Sequence, residues 1–489
     1  MPDTMQAPSG ACEEARMLDA IVRGGQVVTP EGVGAWDVGI EGETIVALAA
    51  PGSLPADDAR VIDATGQLVI PGGIDPHVHT AWPIPALGGG VLASAGPGQV
   101  SRAALCGGTT TLADFAVWEP GLTLAEAIAK KEAVWREGYT DHALHVMLQG
   151  AVPPEVIAQM PEAIGAGYPS FKIFTTDVRP VGKGRMVRLG HLWAVMQAAA
   201  RHGGILAIHA EDDDLVMYMY ERVEAEGLTD IRHMPIVHSV MSEDIAFRRV
   251  LRLARYVEGA AVYMVHVSAA PGVDAIAEAR ADGLPVYGET LHHYATFTAD
   301  AYMRPDGVVF HTYPSLKYEE DRRRLWRGLV DGALATVATD ELCTPRAIKM
   351  RSRHVADATG GHVGVETRVP IVYTEGVSKR GLSLERFVEI TSANAARLLG
   401  LYPRKGAIAV GSDADVVLFD PRVRRALRSA DLHGSDYSAW DGWEVHGWPS
   451  LVMLRGRIVV EDGQLKGQAG DGRAIPRKLA AAIQNRPAV

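Results

Sequence analysis

The strongest constraint on this chain is an alternation that fills its middle. A short apolar run, rich in β-branched residues, gives way to a stretch with helical spacing, and the pattern then repeats. Thr109-Thr-Thr-Leu-Ala-Asp-Phe115 leads to a helix expected over Leu124 to Arg136. His142-Ala-Leu-His-Val-Met-Leu148 leads to Pro154-Glu-Val-Ile-Ala158, and Ser170-Phe-Lys-Ile-Phe174 to a long helix over Leu189 to His202. Gly204-Ile-Leu-Ala-Ile-His209, Ala261-Val-Tyr-Met-Val-His-Val267, Pro285-Val-Tyr-Gly-Glu-Thr290 and Ala335-Thr-Val-Ala-Thr-Asp340 continue the series. Counting the run Gln67-Leu-Val-Ile70 before His77, there are about eight strand-plus-helix units, the arithmetic of an α/β fold of the (β/α)8, or TIM-barrel, type. In such a barrel the C-terminal ends of the strands carry the chemistry.

The flanks obey a different grammar. Leu18-Asp-Ala-Ile-Val-Arg23, Trp36-Asp-Val-Gly-Ile40, Thr44-Ile-Val-Ala-Leu-Ala49 and Arg60-Val-Ile-Asp63 are short β-rich runs cut by Gly, Pro and acidic turns, and Ala414-Asp-Val-Val-Leu-Phe-Asp420 and Ser450-Leu-Val-Met-Leu454 repeat the style near the other end. The expected organisation is a disordered lead (1–17), a small β-sandwich domain built from both ends (18–70 with 403–465), a catalytic barrel (71–402) and a C-terminal tail (466–489).

Composition narrows the partners. A chain of 489 residues with 47% hydrophobic and 22% charged residues reads as an ordinary large globular protein. Its formal net charge of -11 argues against nucleic acid or an anionic membrane as partner. No apolar run approaches the ~18 residues of a membrane span, and Asp3, Glu13 and Glu14 interrupt any signal-type segment. Cys12, Cys106 and Cys343 are too few and too scattered for a disulfide framework, so a reducing cytoplasm is the expected home.

Chemistry-bearing residues stand at the expected strand ends. In Pro71-Gly-Gly-Ile-Asp-Pro-His-Val-His-Thr80, His77 and His79 are two apart and reach the same side of an extended chain, a claw for a metal ion. Lys172 lies inside an apolar strand, where an unpaired cation is costly. His209, His266 and Asp340 close three further runs. Singly, each has a structural reading: a snorkelling lysine, a core histidine, an aspartate helix cap. Jointly, four histidines, one lysine and one aspartate at barrel strand ends form a metal-centre set.

Together with Gly107-Gly-Thr-Thr-Thr111, His209-Ala-Glu211, Gly288-Glu-Thr290, Gly364-Val-Glu-Thr-Arg-Val-Pro370 and Lys405-Gly-Ala-Ile-Ala-Val-Gly-Ser-Asp-Ala-Asp415, these segments resemble the amidohydrolase superfamily, specifically its dihydropyrimidinase, hydantoinase and allantoinase branch. The resemblance implies hydrolysis of a small cyclic amide. It implies that Lys172 takes up carbon dioxide to become N6-carboxylysine. His77, His79 and Asp340 would then hold one divalent ion, and Lys172, His209 and His266 a second. Zinc is the first choice, and manganese suits the same donors. A water activated between the ions would attack the ring amide, with Asp340 moving its proton to the leaving nitrogen. A homo-oligomer, tetramer or dimer, is implied as well.

The pattern breaks around the substrate. Hydantoinases and dihydropyrimidinases carry a tyrosine five positions after the bridging lysine, and here that position is Asp177. Tyr313, in Tyr313-Pro-Ser-Leu-Lys317, is the candidate for the missing hydroxyl. Glu341 follows Asp340 where histidine is frequent, and Leu291-His-His293 stands where the family tends to have Cys-Pro-Gln. The loop after His79 carries Trp82-Pro-Ile-Pro85 and Gly88-Gly-Gly90, while Phe174 keeps an aromatic ring near Lys172. Metal ligands are retained and substrate contacts have moved. The ring is therefore open between hydantoin-, dihydropyrimidine- or related imide- or ureide-type substrates and an amine-bearing cyclic amide or amidine read by Asp177 and Glu341. A non-catalytic scaffold of the same fold is the remaining alternative, against which the retained ligands weigh.

Overall fold

Eight parallel strands, neighbours in space in the order they occur in the chain, form the central sheet of a computed structural model that describes residues 17–87, 89–182 and 184–489. They are β1 (Gly73–Asp75), β2 (Thr109–Val117), β3 (Asp141–Met147), β4 (Ser170–Phe174), β5 (Ile205–His209), β6 (Ala261–Met264), β7 (Val286–Leu291) and β8 (Thr336–Ala338). The ring closes just beyond β1 and β8: the His79 N–H donates to the Glu341 carbonyl at 2.8 Å, and Thr339 Oγ1 donates to Asp75 Oδ2 at 2.6 Å. A (β/α)8 barrel is the result. The disordered lead expected over 1–17 lies, Met17 apart, outside the described residues, as do Cys12 and Gly88.

The strands form because both faces of the sheet are covered. Ser170, Phe171, Lys172, Ile173 and Phe174 are all buried, the uninterrupted burial of a parallel barrel strand. The helix over Leu189–His202 stops where Gly203 adopts φ 84°, a left-handed C-terminal position natural to glycine. The helix expected over Leu124 to Arg136 begins at a capping box between Thr123 and Glu126 and tightens after Val134 into a single turn, Trp135–Glu137.

One element falls differently from the sequence reading. The run before His77 is two strands: Leu68–Pro71 belongs to the sandwich, and only Gly73–Asp75 belongs to the barrel. The crossing occurs at Gly72, where a Cβ would lie 2.1 Å from Thr110 Oγ1, so a side chain there would block the close approach of the two sheets.

Both chain ends build the second layer. A four-stranded sheet holds Ala20–Arg23, Asp37–Glu41, Thr44–Ala49 and Arg60–Asp63; a seven-stranded sheet joins Gln26–Thr29, Gly32–Ala35 and Leu68–Pro71 to Val416–Ala426, Glu444–Leu454, Arg457–Glu461 and Gln464–Leu465. Val27, Val38, Ile45 and Val69 from the front pack with Val416 and Met453 from the back. The last residues run beneath the barrel. Ile475 N–H donates to the His142 carbonyl and His142 N–H to the Arg473 carbonyl, both at 2.9 Å, while Ile483 packs on Ile205, Ala207, Tyr263 and Tyr287. No helix among the described residues is long and apolar enough to cross a membrane.

Candidate metal centre

The open end of the barrel holds a cavity of about 280 Å³ whose lining includes His77, His79, Lys172, His209, His266 and Asp340. The six residues singled out from separate stretches of sequence are thus brought to one place. The imidazoles crowd together, with ring centroids 5.2 Å apart for His77 and His79, 5.5 Å for His77 and His266, and 4.5 Å for His209 and His266. Asp340 Oδ1 lies 3.2 Å from His77 Nε2 and 3.0 Å from His79 Nε2. Ligand atoms about 2.0–2.1 Å from one tetrahedral ion sit roughly 3.3 Å apart, so these three donors have the spacing an ion requires. Asp340 and His266 hold positive φ values, 52° and 41°, conformations uncommon for non-glycine residues.

Lys172 is fully buried, and its Nζ has no hydrogen-bond partner. The rings of Phe115 and Phe174 flank it, with centroids 5.5 and 5.0 Å from Nζ. Burial pushes its pKa down to about 8, partly countered by Asp340 and Glu289. Burial likewise pulls His77, His209 and His266 below the usual histidine range, which favours the neutral imidazole that a metal ion needs. An orphaned amine, three largely neutral imidazoles, a fourth at the rim and one carboxylate make up the set, and His77, His79 and Asp340 within it have the donor spacing of a metal site.

Two residues that the sequence reading quoted only within motifs hold the imidazoles. Glu289 Oε1 lies 2.8 Å from His77 Nδ1 and accepts the His266 N–H at 3.1 Å, while its Oε2 accepts from Tyr263 at 2.6 Å. Burial raises the Glu289 pKa to about 8. Glu211 sits 2.9 Å from His209 Nε2 and 2.9 Å from His238 Nδ1, and those two partners outweigh burial and hold it below the usual carboxylate range. Carboxylates behind metal-binding imidazoles fix ring orientation and tautomer. The signal was present in the sequence, since Glu289 is a carboxylate inside an apolar barrel strand and Glu211 lies two residues beyond a candidate ligand.

The substrate-side candidates divide. Trp82 lines the cavity with its ring centroid 4.4 Å from that of His79, Phe174 stacks on His209 at 4.8 Å, and Tyr313 lines the opposite side with its hydroxyl 3.3 Å from the Ala358 carbonyl. Asp177 and Glu341 do not line it. Asp177 Oδ1 accepts the backbone N–H groups of Arg185 and Met186 at 2.9 and 2.8 Å, so it ties its own loop, and its charge faces Arg185. Glu341 is fully buried; its Oε2 accepts from Gly364 and Val365 at 2.7 and 2.9 Å, and burial raises its pKa to about 8. The expectation that these two carboxylates face an amine-bearing ring is corrected accordingly: both hold backbone. His292 and His293 are buried against Trp440 and His362, away from the cavity lining. Arg179 and Arg185, which the sequence reading did not single out, do line it.

Comparison with known proteins places this geometry. Residues 68–459 match the model of the amidohydrolase family. A D-hydantoinase from Streptomyces coelicolor is 36% identical over 94% of this chain and 97% of its own, and a D-hydantoinase from Geobacillus stearothermophilus is 34% identical over 95% and 98%. The crystal structure of a dihydropyrimidinase from Brevibacillus agri superposes with a TM-score of 0.89 at 35% identity, covering 94% of this chain and 99% of that one.

Proposed function

The chain belongs to the amidohydrolase family, and from that premise we propose that it is a cyclic amidase with a two-metal centre, hydrolysing a hydantoin-, dihydropyrimidine- or related imide- or ureide-type ring. The observation that carries this reading is Lys172: a fully buried amine without a partner, set among four imidazoles and an aspartate. A scaffold protein gains nothing from such a group, because an unpaired buried cation only destabilises the fold.

In this reading His77, His79 and Asp340 hold one divalent ion, and His209, His266 and Lys172 the other, with zinc as the first choice. Lys172 acts after its neutral amine adds to carbon dioxide, forming an N–C bond and losing a proton. That would replace a destabilising cation with a two-oxygen anion of the kind divalent ions bind. Bound ions would supply a water acidic enough to attack near neutral pH and would polarise the ring carbonyl. The remaining work falls to the chain. Asp340 accepts the proton of the attacking water and returns it to the departing ring nitrogen. Glu289 and Glu211 keep the His77 and His209 rings aimed. Phe174 and Trp82, which line the cavity, would pack on the substrate ring, and the Tyr313 hydroxyl would have to turn from the Ala358 carbonyl to donate to the reacting one. We assign the protein to the cytoplasm as a homo-oligomer, tetramer or dimer, supported by the kinship and by the buried free thiols of Cys106 and Cys343.

Elemental analysis of protein grown with zinc, paired with ring-opening assays on hydantoin, dihydrouracil and allantoin, tests the reading. About two ions per chain and turnover of one ring are expected. Metal-free protein, inert on every ring after reloading with zinc and bicarbonate, would sink it.

A further inference from the structure

The loop after β4 sends two arginines into the cavity. Arg179 and Arg185 line it together with Lys172, and Asp340 is the only carboxylate among the described lining residues. The Arg185 guanidinium lies over the Phe174 ring, 5.2 Å from its centroid, while Lys172 Nζ approaches the same ring at 5.0 Å. Arg179 reaches toward the Tyr313 hydroxyl. Asp177 attracts Arg185 electrostatically but lies outside the cavity lining, and its Oδ1 accepts the backbone N–H groups of 185 and 186, a tie that holds the loop with Arg185 at the cavity wall. Outside the lining, Arg351 is a third cation that feels the charge of Arg179, with Nε and Nη1 buried and unpartnered. The loss of water, and after it the like charge of Arg179, depress both Arg185 and Arg351.

Two guanidinium groups facing one small cavity whose single described carboxylate, Asp340, is engaged with His77 and His79 call for an anion from outside, and the planar fork of arginine matches a carboxylate best. Resting on the cyclic-amidase reading, we propose that Arg179 and Arg185 form an anion subsite and that the ring opened by this protein bears a carboxylate on its exocyclic substituent. Because Arg185 and Lys172 flank the same aromatic ring, the carboxylate and the reacting carbonyl fit within one small molecule. Asp177, at the position that first suggested an amine-bearing substrate, becomes a positioning residue for the opposite charge.

The test compares a hydantoin carrying a carboxymethyl group with its nearly isosteric carbamoylmethyl counterpart, on the metal-loaded protein. The acid is expected to exceed the amide by about tenfold or more in kcat/KM, chiefly through KM. In Arg179→Gln/Arg185→Gln the ratio is expected to fall to near parity, with the metal content of the wild type. A wild-type preference for the amide, or a preference for the acid that survives in the double variant, overturns the subsite and leaves the amidase reading standing. An equal loss of kcat on both rings in Arg185→Gln also overturns it, making that residue a holder of the reacting carbonyl. If neither ring opens, the amidase reading has failed for hydantoins. Calorimetric titration of the same pair then decides the subsite alone: arginine-dependent binding of the acid supports it, and equal binding of acid and amide overturns it.

Discussion

Two buried lysines at opposite ends of the barrel answer opposite demands. Lys405, at the floor, lies 2.6 Å from Asp141, 2.8 Å from Asp415 and 3.0 Å from Asp413, with Arg455 also bound to Asp141. Burial works against its charge, but the three carboxylates outweigh burial and raise its pKa above the usual lysine range. Lys172, at the cavity, is just as buried and has no partner at all. Natural folds satisfy buried polar groups as a rule, so the floor shows what this chain does when a charge serves structure. The departure at Lys172 marks a group reserved for chemistry.

Several substitutions sharpen or break the contrast. The largest effect is expected for Lys172→Met, which should cut ring-opening activity by about 10³-fold or more and lower the metal content. Its melting temperature, measured metal-free against metal-free wild type, should hold or rise, because an apolar side chain replaces an unpaired buried cation. A clear drop in stability would mean that Lys172 serves structure like its counterpart. Lys405→Met should do the reverse, costing about 3–5 kcal/mol by leaving buried carboxylates uncompensated. Urea unfolding at pH 7 reads this directly. The pH dependence follows from the raised folded-state pKa: the stabilisation by Lys405 is fully present below about 10.4, its ordinary value, and is lost as pH climbs through the folded value. Alkaline unfolding should be steeper in wild type than in Lys405→Met.

A smaller effect is expected for Glu289→Gln, which keeps the shape but loosens the hold on His77; metal affinity or activity should fall about 10–100-fold with little change in melting temperature. The smallest belongs to Asp177→Ala. It removes two hydrogen bonds to the loop backbone, so KM should rise a few-fold, in line with about 0.5–1.5 kcal/mol per hydrogen bond, while kcat is largely kept. A kcat loss matching that of Glu289→Gln would place Asp177 in the chemistry.

The same contrast explains what sequence could and could not reveal. The barrel was legible because both faces of each strand are buried, leaving continuous apolar runs, and the six candidate ligands stood out as polar residues within, at the end of, or just beyond those runs. The floor was half legible: Lys405, Asp413 and Asp415 sit in one quoted motif, yet Asp141 and Arg455 reach them from distant segments. The split of the first run at Gly72 was hidden because sandwich and barrel strands share one apolar alphabet. Substrate-side residues were read least well. A loop charge can point into a cavity or fold back on its own backbone, and nothing in Asp177 or Arg185 as letters distinguishes the two. Spatial partners decide it, and these lie eight residues apart across a turn.

The seam of the barrel has a consequence for how the protein comes apart. The bond from the His79 N–H to the Glu341 carbonyl zips the first strand segment to the last, and the flanking side chains, His77, His79 and Asp340, come from the two segments so joined. Any ion shared by them would act as a clasp across the one place where the ring begins and ends. Unlatching that clasp should favour opening along the seam before the rest of the ring yields, because an ion that binds only the closed state lends its binding free energy to closure. Loss of the ion and loss of the barrel would then share a first step, and a chelator would act on this protein as a crowbar as well as an inhibitor.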